Sequence, residues 1–116
     1  MEPIVLSKAR AFAKRVIKAE KYLKTEKREH SMSNQLLRSG TAISALIAEA
    51  QYAQSKADFI NKMSIALKEA NESRNWIILL HDGEYIDDKS YDSIYDDINQ
   101  LVMMLVSIVR TSKSNS

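Results

Sequence analysis

Six cations near the N-terminus, Lys8, Arg10, Lys14, Arg15, Lys18 and Lys21, recur at helical spacing, so a helix through them carries one basic face. Such a face is either simply solvated or attracts phosphate. No aromatic residue interleaves it, so any nucleic acid is expected to be held by its phosphates, salt-sensitively and with weak sequence selectivity, rather than by base stacking. Metal and hydrolytic chemistry find less support. A di-iron carboxylate bundle needs Glu-x-x-His pairs, but Lys27 precedes His30 and Ile78 precedes His81 at the required spacing. The serines lack a nucleophile elbow, the two glycines stand alone without forming a phosphate loop, and the absence of cysteine excludes thiolate sites and disulfides. No cofactor and no metal are expected.

The elements that must position these residues are helical. Two glycines and one proline in 116 residues leave little turn chemistry, which favours a few long helices with short connections. Val5, Ala9, Phe12, Val16, Ala19 and Leu23 form a heptad-spaced stripe, widened by Leu6, Ala13 and Ile17, on a helix over 4–25. A second helix over 32–53, capped by Ser31 or Ser33, turns Leu36, Ser39, Gly40, Ile43, Ile47 and Ala50 inward. Glycine inside a helix costs roughly 0.5–1 kcal/mol relative to alanine, so Gly40 within the apolar stripe implies close approach of a neighbouring helix. Ser55 and Asp58 have capping-box spacing ahead of a third helix over 56–81, whose stripe is Phe59, Ile60, Met63, Ala66, Leu67, Ala70, Ile77 and Ile78 and whose stop is Gly83. Asp87 or Asp88 caps a fourth over 88–111, with Tyr91, Ile94, Ile98, Leu101, Leu105 and Ile108 inward. Residues 112–116 read as a frayed tail. The pattern predicts an all-α, antiparallel up-down-up-down four-helix bundle in a single domain spanning 1–116.

Charge is uneven along this frame. Residues 1–30 hold nine Lys/Arg against four Asp/Glu, and residues 81–100 hold one Lys against seven Asp/Glu, beneath a net charge of only +2. The N-terminus becomes charged too soon for a signal peptide, and no apolar run approaches the roughly 20 residues of a membrane span. A cytoplasmic protein without membrane contact is expected, in keeping with the lack of cysteine. Apolar surface exceeds what one bundle needs: Ile65, Trp76 and Leu79 lie off the main stripe of the third helix, and Met103, Met104 and Val106 cannot all face one core. A patch with Trp and Met suggests a partner surface, and a closed homo-oligomer is the default.

Arg74 and His81 stand seven positions apart in RNWIILLH, hence on one helix face. The run resembles the Arg-(4 to 6 residues)-His motif of the HEPN helical ribonucleases, including a polar residue, Asn75, directly after the arginine. That resemblance implies metal-independent RNA cleavage by Arg74 and His81 at a dimer interface. The structural alternative pairs Arg74 with a carboxylate such as Glu49 and leaves His81 to terminate a helix, where positive charge is favoured.

A broader resemblance covers nearly the whole chain. SNQLLRSGTAISALIAEAQYAQSKADFINKMSIALKEANESRNWIILL is similar to the small four helix bundle proteins, also called 23S ribosomal RNA intervening-sequence proteins. Gln35, Leu36, Arg38, Ile43, Ile47, Ala48, Glu49, Ser55, Asp58, Phe59, Ile65 and Ala66 match that pattern, while Ala50 stands where glycine is commoner and Leu46 replaces a usual polar residue. The resemblance implies a homopentamer of up-down bundles and members encoded within insertions in bacterial large-subunit ribosomal RNA genes. It also implies kinship with basic accessory proteins of diversity-generating retroelements, which associate with nucleic acid and a reverse transcriptase. The expectation is a non-enzymatic homo-oligomeric bundle binding RNA or DNA through its first helix. The HEPN-like ribonuclease and a purely structural protein–protein adaptor are the alternatives.

Overall fold

The apolar stripes fold into four helices in a computed structural model that describes residues 1–115: α1 (Ile4–Glu26), α2 (Ser31–Ala50), α3 (Lys56–Asp82) and α4 (Asp88–Ser114). No strand is present among the described residues. The helices pack in chain order, α1 on α2, α2 on α3 and α3 on α4, and a much weaker α1–α4 seam closes the bundle. Cross-helix contacts run in opposite senses, Lys8 to Gln100 but Arg15 to Asp97 between α1 and α4, and Arg74 to Asn99 but His81 to Asp88 between α3 and α4, so these pairs are antiparallel within a body of 47 × 24 × 20 Å.

Every residue expected on the inner face of α2 is buried. An ideal Cβ on Gly40 would lie 2.8 and 3.0 Å from the two methyl carbons of Val16. Val16 is β-branched and stiff at χ1, so it cannot swing aside, and the glycine is what lets α1 and α2 approach. On the α2–α3 side the buried hydroxyls of Ser39 and Ser73 meet at 2.8 Å. Ser73 also lies 3.0 Å from the Glu69 carbonyl and Ser39 3.4 Å from that of Leu36, so neither is orphaned.

The ends depart from expectation in instructive ways. Neither Ser31 nor Ser33 caps α2. The 8%-exposed Glu29 does, its carboxylate accepting from the backbone N–H groups of Met32 at 3.1 Å and Ser33 at 2.8 Å. A carboxylate suits the positive end of a helix, and Glu29 arrives there because Arg28 takes a left-handed φ of 51° and reverses the chain. Helix α2 ends at Ala50, not 53. The Ser55 hydroxyl caps α3 by accepting from Asp58 N–H at 3.0 Å, while the Asp58 carboxylate reaches back to Gln54 N–H at 3.2 Å, one residue before the usual partner. Gly83 stops α3, but with φ −81°; the left-handed residue is Glu84, at φ 66°. Asp87 caps α4 by accepting from Ser90 N–H at 2.7 Å. Helix α4 continues through Ser114, so the expected fraying from 112 is not seen there; residue 116 lies outside the described residues. Ile17, expected inside, is exposed, whereas Leu80, Val102 and Val109 join the core.

Candidate nucleic-acid interface

Helix α1 positions its six cations on two sides, and the fold treats the sides differently. Arg10 is tied to Glu2, which also accepts from the Ser7 hydroxyl at 2.6 Å. Arg15 bridges to α4, donating to the Asp97 carboxylate at 2.6 Å and the Ser93 carbonyl at 3.2 Å, and Lys8 donates to the Gln100 side-chain carbonyl at 3.2 Å. Lys14, Lys18 and Lys21 are exposed and have no partner among the described residues. Of the six cations read from the sequence, three therefore remain without a side-chain partner on one outward line of α1, and Lys8 keeps its charge beside a neutral amide. Arg10 and Arg15 are matched by carboxylates, and so add little net field.

Beyond the Arg15–Asp97 pair, α1 and α4 part into a cleft of about 340 Å³. Leu23, Leu80, Ile86 and Ile94 line its interior. Arg15, Lys18 and Tyr22 stand on the α1 side, and Asp87 and Ser90 on the α4 side. Tyr22 is 45% exposed. It also lines a second cleft of about 360 Å³ that contains Lys27, His81, Asp87 and Asp88. An aromatic ring thus borders the basic line, contrary to the expectation of none. The signal was present as Tyr22 one residue after Lys21, but its direction depends on the α1–α4 opening. The Asp87 carboxyl is held below the ordinary carboxylate range, first by the Ser90 backbone N–H and hydroxyl and then by the charges of Lys89 and Lys27.

Arg74 and His81 occupy the α3–α4 seam at separate stations. The guanidinium donates to Asn99 at 2.8 Å and to Asn71 at 2.9 Å, two neutral amides where the structural alternative had a carboxylate such as Glu49. The His81 ring stacks on Tyr91 with centroids 4.0 Å apart and meets Asp88 at 2.7 Å. Burial raises the Tyr91 phenol, with Tyr95, Asp82 and Asp92 adding to the shift. No cluster able to hold a metal ion occurs among the described residues, and none of their helices is long and apolar enough to cross a membrane.

The surplus apolar residues divide. Met103 at 65% exposure, Leu79 at 40% and Ile65 at 38% stand outward, whereas Trp76, Met104 and Val106 are half-buried and pack partly against the core. The Trp76 indole N–H donates to Glu72 at 3.2 Å. Glu72 also pairs with Arg38, which reaches Glu69 at 3.3 Å and Gln35 at 3.4 Å. Arg38 therefore joins α2 to α3, with Gln35 bonded to it from within α2. The hydrogen bond that Arg38 donates to Glu72 is the main reason that its pKa is raised.

The model of the 23S rRNA-intervening sequence protein family matches residues 1–107. Among solved structures, the chain is similar to a protein of unknown function from the S23 ribosomal protein family of Bacteroides thetaiotaomicron. The two are 49% identical and superpose with a TM-score of 0.90, covering 91% of this chain and 98% of that one. No curated protein matches.

Proposed function

This chain belongs to the 23S rRNA-intervening sequence protein family, and on that premise we propose that it is a non-enzymatic, self-associating bundle that holds nucleic acid by its phosphates along α1. The observation that carries this reading is the line of Lys14, Lys18 and Lys21, exposed and unneutralised while the arginines beside it are paired. Counterion release from phosphate gives such a line its affinity. Self-association rests on the outward Met103, Leu79 and Ile65, with the pentamer that the family resemblance implies as its closed ring and shared lysine lines as its consequence. Arg74 and His81 support the non-enzymatic reading, since each already has polar partners on α3 or α4.

The test replaces Lys14, Lys18 and Lys21 with glutamate and measures RNA and DNA binding across a salt series. The native chain is expected to bind both at low salt with a steep salt slope. Each lysine lost should flatten the slope by about one, and the triple variant should retain nothing. Unchanged retention would remove α1 from the reading. Light scattering of the same samples counts subunits.

A further inference from the structure

Building on the phosphate-binding reading of α1, we infer that the α1–α4 cleft is a nucleobase site, which makes single-stranded nucleic acid with amino-bearing bases the preferred ligand. Three features of the cleft converge on that ligand.

Charge sets the direction. The α1 wall carries Lys18, continuous with the free lysines Lys14 and Lys21, while the α4 wall carries Asp87 with Asp88 beyond it. A phosphodiester chain is drawn to the first wall and repelled by the second, so it lies along α1 with its bases turned across the opening. Size and polarity set what enters. A volume of about 340 Å³ is at the small end of ligand pockets, which span about 300–1,000 Å³. It takes one ring system and not a base pair, and its interior of Leu23, Ile86 and Ile94 favours an apolar π-face. Tyr22 lines this cleft and the adjoining one, so one phenol ring stands between two places where successive bases can sit, the arrangement that single-strand binders use for stacking.

The far wall supplies selectivity. An ionised carboxylate only accepts hydrogen bonds, so Asp87 suits the exocyclic amino group of cytosine, adenine or guanine and disfavours the two carbonyls of uracil. In a duplex the base faces are stacked away and no base can swing into the cleft, so only the lysine line remains to bind.

The experiment is fluorescence anisotropy of the full chain with labelled oligocytidine, oligouridine of equal length, and a duplex of matched phosphate count. Oligocytidine is expected to bind about tenfold tighter than the duplex, the effect of roughly one stacked base, and tighter than oligouridine. Tyr22→Ala should abolish that margin and leave duplex affinity unchanged, Tyr22→Phe should keep it, and Asp87→Asn should narrow the preference for cytidine over uridine. Equal affinity of the native chain for strand and duplex, or an equal loss on both in Tyr22→Ala, would overturn the base site while leaving the phosphate reading in place. Glutamates at Lys14, Lys18 and Lys21 that spare duplex binding would instead overturn the phosphate reading. The base site would then survive only if Tyr22→Ala still selectively weakened the single strand.

Discussion

Helix α1 is packed in opposite ways on its two flanks. Toward α2 it closes until the methyls of Val16 leave no room for a Cβ on Gly40. Toward α4 it is held by Lys8–Gln100 and Arg15–Asp97 and then opens over Ala19 and Tyr22 into a cleft. The first flank is a packing solution, made from a missing side chain and a stiff neighbour. The second is a polar clasp beside an unfilled space, where Lys18 and Asp87 stand at opposite walls without pairing across it. A bundle can therefore draw its packing from three sequential seams and leave the fourth partly open.

Enlarging a side chain on each flank should give results of opposite sign. Gly40→Leu is expected to lose at least about 1–3 kcal/mol through overpacking, despite leucine's better helix propensity, measured as a lower urea midpoint at unchanged slope. A higher melting temperature for that variant would break the contrast. Ala19→Leu, directed at the open flank, should instead be neutral or gain up to about 1 kcal/mol by filling space, while weakening single-strand binding. A loss as large as that of Gly40→Leu would show the cleft to be as tightly determined as the closed seam.

The smallest expected effect concerns the acidic wall. Because the folded pKa of Asp87 is depressed by Ser90 and the nearby lysines, its contribution is present in full above the ordinary carboxylate pKa and is lost as pH falls through the lower folded value. Asp87→Asn keeps a capping side chain without the charge. The stability gap between the native chain and this variant, followed by thermal melts, should be constant near neutral pH and close as the solution becomes strongly acidic. A gap that widens on acidification would mean that the carboxylate is not stabilising α4.

Local pattern carried much of this into the sequence. The α2 stripe from Leu36 to Ala50, the meaning of Gly40, and the caps Ser55 and Asp87 could all be read there, because each depends on residues within a turn or two. The α4 boundary and the cap of α2 could not. Glu29 acts through a chain reversal at Arg28, which no serine-based capping rule anticipates. The six cations of α1 could also be found by spacing, but not their division into free and matched.

By itself, the sequence determined the number and order of the helices, their apolar faces and the basic character of α1, since helical periodicity and capping are short-range physics. Only the tertiary structure decided that Arg15 would meet Asp97, that Arg74 would turn to Asn99 instead of Glu49, and that Tyr22 would border a cleft. Those outcomes depend on how the helices are rotated and offset against one another, and that is set by the fit of whole surfaces rather than by any one segment.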